Sequence, residues 1–299
     1  MAGHDDLDGP AVSPLLILSV GVVAISFGAI FVRLAEAPSL VTAAYRVGLA
    51  SALLAPAACW RSRAELGGLA RRDIGLSILA GLFLALHFAT WIASLDYTSV
   101  ANSVVLVNTN PIWVALLGPL LTNERVRRRT LGSILLSVAG AFIIGWGDFV
   151  TGGGALYGDA LALAGSIFAA LYLLIGRNLR ARVSLLTYIF LCYGSAAVFL
   201  WGGVLSRQLA FTGFSQTTWA AFVGMAVFSQ LVGHSSYNWA LKWLRTSTVA
   251  VSLLGEPIGA SILAWIIFGE ALTTTKIMGG GLILAAIYRV AREEARQNS

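Results

Sequence analysis

Glu256 has the most chemistry to offer, because it sits inside a long apolar stretch and directly precedes Pro257. A carboxyl in such surroundings must exchange a proton or meet a cation, since an isolated buried charge is costly. Asn110 precedes Pro111 in the same way, 146 positions earlier. Three more ionisable side chains, Arg46, His87 and His234, also fall in apolar stretches. Arg46 can attract a carboxylate, or carry its charge outward on its long stem. His87, Thr90, Trp91 and Ser94 follow the i, i+3, i+4, i+7 spacing that puts side chains on one helical face. Gln230, His234 and Asn238 stack at i, i+4 and i+8, with Tyr237 beside His234. Trp91 and Tyr237 are again 146 positions apart, and their rings can stack on a planar ligand or grip its apolar part. Tyr172, Tyr45 and Phe27 are further candidate linings. Each histidine can equally hold an interior hydrogen bond, and Glu256 can serve as glue between helices.

The elements that must position these groups are helices in a membrane. Of 299 residues, 58% are hydrophobic and 11% charged, against about 25% charged in an ordinary soluble domain. The apolar residues fall in blocks long enough to cross a hydrocarbon layer about 30 Å thick. Ten spans are expected: 14–32, 40–60, 74–95, 100–121, 131–147, 156–176, 185–205, 219–241, 249–268 and 277–290. The fold class is therefore an all-α integral membrane protein. Pro111 and Pro257 lie within the fourth and ninth spans; each lacks an N–H and clashes with the carbonyl four residues back, at Val107 and Leu253. Both helices should open there, with Pro111 and Pro257 as hinges. The two cysteines, Cys59 and Cys192, have neither metal-site nor disulfide-framework spacing. The acidic start, with no small-residue cleavage pattern after the first apolar block, is unlike a removable signal peptide.

Placing both termini in the cytoplasm puts 16 of the 20 basic residues in cytoplasmic segments, leaving Arg33, Arg207 and Lys276 outside and Arg46 within the second span. Basic residues are retained on that side, so the asymmetry supports ten spans and favours topology over nucleic-acid binding as the reason for the +6 charge. A shift of 146 also superposes Leu95 on Leu241, Val105 on Val251, Leu117 on Leu263 and Glu124 on Glu270. A shift of 145 superposes Ser39, Leu40 and Thr42 on Ser184, Leu185 and Thr187, as a one-residue insertion allows. With five spans per unit, the second copy enters from the opposite side, giving two inverted five-helix repeats over 14–150 and 151–291 between tails 1–13 and 292–299. Inverted halves that exchange conformations alternate access to a central site. The small-residue runs 132–140 and 279–281 permit close helix approach, between the halves or between copies of the chain.

Asn110-Pro111 and Gly255-Glu256-Pro257 in the fourth and ninth helices, with the helix-end motifs Asn123-Glu124-Arg125 and Gly269-Glu270-Ala271-Leu272-Thr273, resemble the EamA family of the drug/metabolite transporter superfamily. Asn123 stands where that family often has glycine. The resemblance runs from Leu15 to Val290 and implies a bacterial inner-membrane exporter of amino acids, aromatic or otherwise amphipathic, or of related small metabolites. Such a carrier needs a small-molecule substrate and surrounding lipid, with protons as a candidate coupling ion, and neither a cofactor nor a metal; monomer and homodimer both remain open. Nucleosides and cationic drugs are alternative substrates.

An enzymatic reading has one motif, Gly145-Trp146-Gly147-Asp148, which matches the G-x-G-D pattern of intramembrane aspartyl proteases. No second mid-membrane aspartate accompanies it, as shared-proton chemistry would require, and a helix-ending turn explains it better. H-E-x-x-H, G-x-S-x-G and Walker lysine motifs are absent. A channel would need rings of like charge or a carbonyl filter. Cysteine labelling from the two sides of the membrane tests the topology: the Ala2→Cys and Ser299→Cys variants should be labelled at those positions from the cytoplasmic face, and labelling there only from outside would overturn both orientation and inversion.

Overall fold

A computed structural model describes residues 10, 12–98, 100–122, 126–145, 155–269 and 271–296. Asn123, Glu124, Arg125, Asp148, Glu270, Ala2 and Ser299 lie outside the described residues. The chain forms α1 (Pro14–Leu34), α2 (Ser39–Arg61), α3 (Arg63–Gly68), α4 (Arg71–Ser94), α5 (Val100–Val107), α6 (Asn110–Leu121), α7 (Arg128–Gly145), α8 (Ala155–Arg180) and α9 (Leu185–Ser206). Then come α10 (Gln216–Gly224), a π-helical segment (Met225–His234), α11 (Ser235–Ala240), α12 (Thr246–Leu253), α13 (Gly255–Phe268) and α14 (Thr274–Ala295). No strand occurs among the described residues. Six helical stretches there are long and apolar enough to cross a membrane: 14–34, 39–61, 71–94, 156–180, 185–206 and 246–268. The remaining four expected spans coincide with the interrupted pair α5 and α6, with α7 and α14, which carry arginines at one end, and with the stretch containing the π segment.

The prolines break their helices where expected. α5 stops at Val107 and α6 restarts at Asn110, with Pro111 in its first turn; α12 stops at Leu253 and α13 restarts at Gly255, with Pro257 in its first turn. A missing N–H costs nothing in the first turn of a helix, where that donor has no intrahelical acceptor. The amides at the breaks bond tightly to carbonyls three residues back, Thr109 to Leu106 and Leu254 to Val251. Both interruptions lie inside an apolar bundle.

Packing repeats between the halves. α1 lies against the π segment and α13, while α8 lies against α4, α5 and α6; α2 packs on α9, and α7 on α14. Exchanging the first five helical stretches for the second five leaves this pattern unchanged. Each half therefore clasps the other through its first helix. The α7–α14 contact uses the small-residue runs, since a Cβ on Gly140 would fall 2.6 Å from the Gly279 carbonyl oxygen. Within this chain those runs join the two halves.

Side-chain bonds gather the connections into two sets. In one, Arg182 pairs with Asp73 at 2.6 Å, Asn178 donates to the Leu121 carbonyl at 2.8 Å, Arg177 donates to the Leu241 carbonyl, and Arg127 approaches Glu293 at 3.9 Å. In the other, Ser39 donates to Asp96, the Glu36 amide to Thr218, Thr98 to Asp159 and the Tyr45 hydroxyl to the Phe211 carbonyl. Glu65 on α3 belongs to the first set: it accepts from the Ser184 amide at 2.7 Å and from the hydroxyls of Ser184 and Thr187. Ser184 also caps α9 by accepting from the Thr187 amide.

Partial burial acts to raise the Glu65 pKa, but the bonds from Ser184 and Thr187 prevail and hold it below its ordinary 4.5. A depressed carboxylate contributes stability above its unfolded pKa that is lost as pH falls through its folded value. Glu65→Gln is therefore expected to lower the thermal unfolding midpoint at neutral pH, and to differ less and less from the parent as acid protonates Glu65. A gap between the two proteins that stays constant with pH would contradict this role.

Candidate functional site

The two breaks open onto a cavity between the halves, about 540 Å³ of empty space counted with its opening. Eight of the nine side chains expected to contact a ligand line it: Arg46, His87, Trp91, Asn110, Tyr172, His234, Tyr237 and Glu256. They come from α2, α4, α6, α8, the π segment, α11 and α13. Phe88, Asn108 and several aliphatic side chains complete the wall.

Arg46 is 2% exposed, so its long stem does not carry the charge outward. Its Nε donates to Gln230 Oε1 at 3.0 Å, and its guanidinium carbon lies 4.1 Å from the centre of the Phe88 ring, an attractive cation–π placement. Gln230, from the π segment, thus holds the cation while the terminal guanidinium N–H groups remain for an anion. Glu256 is half-buried, beside Asn108 and close enough to Arg46 for their charges to act on one another. The two side chains come from the two halves and line the same cavity.

His87 Nδ1 lies 2.9 Å from the Gly165 carbonyl oxygen. A carbonyl only accepts, so Nδ1 carries the hydrogen, and the neutral ring keeps Nε2 as an acceptor. The His87 ring lies nearly parallel to Trp91, at 5° and a centroid separation of 6.1 Å. His234 sits among Phe88, Tyr172 and Tyr237, with centroid distances of 5.2, 6.1 and 5.1 Å. Four polar atoms on this wall are buried without a hydrogen-bond partner: Trp91 Nε1, Asn110 Oδ1, His234 Nδ1 and Tyr237 OH. Unpartnered donors and acceptors on residues around one cavity suit a small polar ligand, because such atoms are costly unless something meets them.

Asn238, the ninth residue, does not line the cavity. It is fully buried behind the wall, where its amide donates to the hydroxyls of Tyr172 at 2.5 Å and Tyr193 at 3.1 Å. Thr90 and Ser94 share the face of His87 but donate to carbonyls of their own helix, Leu86 at 2.8 Å and Trp91 at 2.6 Å. Tyr45 belongs to an aromatic cluster with Trp201, Trp219 and Phe222, and Phe27 packs against Phe31 and Phe228; neither reaches the cavity. Sequence reasoning missed Asn108, whose one visible signal was its place just ahead of Asn110-Pro111, and Phe88, which looks like any core aromatic.

An uncharacterised transporter of Archaeoglobus fulgidus is 27% identical to this chain over 282 residues, covering 92% of this chain and 95% of its own. A second from the same organism is 27% identical over 228 residues, covering 74% and 80%. The uncharacterised transporter YyaM of Bacillus subtilis is 19% identical over 252 residues, covering 82% of each. A protein of known crystal structure superposes with a TM-score of 0.77 at 18% identity, over 96% of this chain and 99% of that one, a likeness of fold. Residues 12–146 and 156–292 each match the same family, one match per half. The chain, multi-pass and two-fold in its repeats, belongs to the EamA-like transporter family.

Proposed function

We propose that this transporter carries zwitterionic small metabolites, amino acids above all, out of the cell across the bacterial inner membrane by alternating access. The observation that carries the reading is that Arg46 and Glu256 both line one aromatic-walled cavity. An amino acid offers a carboxylate to the guanidinium and an ammonium to the carboxylate, and its side chain finds Trp91, Phe88 and Tyr237. A nucleoside or a purely cationic drug leaves Arg46 without an anion. Substrate contact is assigned to the eight lining residues, and support of Tyr172 to Asn238.

Ten spans in two inverted repeats with cytoplasmic termini agree with the two sets of connections and with the exchangeable packing of the halves. In this scheme the broken helices move about Pro111 and Pro257, widening the cavity toward one side and then the other. A proton is the candidate coupling ion, and Glu256 its candidate carrier.

Two experiments test this. Trp91→Ala and Tyr237→Ala should each reduce uptake of labelled phenylalanine into inverted vesicles, by about tenfold if a well-packed aromatic contact worth about 1.4 kcal/mol is lost, at unchanged membrane abundance. Undiminished uptake by both variants would return these rings to packing.

Glu256→Gln keeps size and most hydrogen bonding but has no titratable proton. Under proton coupling it abolishes gradient-driven accumulation while leaving exchange of labelled substrate at equal pH. If the carboxylate instead grips the substrate ammonium, exchange and binding fall together. A variant that still accumulates substrate in response to a pH gradient would remove Glu256 from both roles.

A further inference from the structure

At one end of the bundle, away from the cavity, α7 begins beside the end of α14. A surface pocket, about 770 Å³ counted with the open space above it, lies between them. Arg129 in the first turn of α7 and Arg127 just before that helix line one side, and Arg289 and Arg292 near the end of α14, with Arg296 just beyond it, line the other. Against these five guanidinium groups, the lining contains one carboxylate among the described residues, Glu293, 3.9 Å from Arg127. Like charges held this close repel one another, and packing deeper in the pair, at Gly140 against Gly279 and Ala141 against Ile283, fixes the helices together regardless. The pocket is an electrostatic well for an anion.

What lies beside it selects the kind of anion. Leu131 and Leu135 on α7 and Leu284 on α14, within about two turns of the arginines, are exposed and apolar, and Tyr288 places an exposed aromatic ring in the pocket itself. A soluble anion meets the arginines but gains nothing from the leucines. An anion with apolar tails satisfies both surfaces. Guanidinium forks match phosphate oxygens two at a time, which ammonium groups do not.

We infer that this pocket binds the headgroup phosphate of an anionic phospholipid, with the acyl chains running along Leu131, Leu135 and Leu284. The site bridges the fifth helical stretch of one half and the fifth of the other, so a bound lipid clamps the ends of the α7–α14 pair. This rests on the membrane setting and is independent of what the central cavity carries.

The purified protein in neutral detergent is titrated with dioleoylphosphatidylglycerol or dioleoylphosphatidylcholine, and followed by thermal unfolding and by native mass spectrometry of retained lipid. Phosphatidylglycerol should be retained and should raise the unfolding midpoint more than phosphatidylcholine. Arg289→Gln with Arg292→Gln should weaken phosphatidylglycerol binding about thirtyfold, as loss of two basic residues at a membrane surface implies. Arg129→Gln, from the opposite wall, should weaken it in the same direction and serves if the double variant fails to fold. Arg71→Gln with Arg72→Gln, outside the pocket, should retain the preference. Equal effects of the two lipids, equal loss in the Arg71/Arg72 variant, or a shift reproduced by inorganic phosphate alone would overturn the proposal.

Discussion

A guanidinium with almost no access to solvent has to be solvated by protein, and the interior of this bundle is arranged around that requirement at Arg46. Hydrocarbon cannot do it, and a single ion pair does it poorly because desolvating both partners is expensive. Here the work is divided among a side-chain carbonyl at Gln230, the face of Phe88 and the field of Glu256 across the cavity. Each contribution comes from a different helix, so the cation ties α2 to α4, to the π segment and to α13. Removing any one partner leaves the others facing an incompletely compensated charge.

The helix breaks extend the same logic to the backbone. A proline on α6 and another on α13 interrupt continuous hydrogen bonding inside an apolar bundle, which is tolerable where the freed groups line a wet or protein-filled space. Both interruptions border the cavity, next to Asn108 and Asn110 in one half and Glu256 in the other. Polar side chains, helix breaks and empty space coincide there.

Much of the fold was legible because the length of an apolar block reports directly on a membrane-crossing helix, and because Pro111 and Pro257 mark breaks through a local steric effect. The pairing of Arg46 with Gln230 joins residues 184 positions apart on different helices, and nothing in local spacing reveals it. Asn238 was expected beside His234 on the strength of an i, i+4 step. The step itself holds, since Ser235–Ala240 is α-helical, but the Asn238 amide is taken up by the hydroxyls of Tyr172 and Tyr193 behind the cavity wall, contacts between helices that local spacing does not reveal. Tyr45 and Phe27 show the converse limit, since ring type and span membership do not say which face of a helix meets the cavity.

The π segment also accommodates a difference in length between the halves. The ends of α2 and α9, at Arg61 and Ser206, are 145 positions apart, and so are the starts of α4 and α10, at Arg71 and Gln216; the ends Ser94 and Ala240 are 146 apart. The second copy thus carries one residue more between the same two ends, and the wider turns from Met225 to His234 take it up without displacing either terminus. The surplus residue falls in the segment whose Gln230 holds Arg46, so the two copies, matched in packing, became chemically unequal at the point where a charge had to be held.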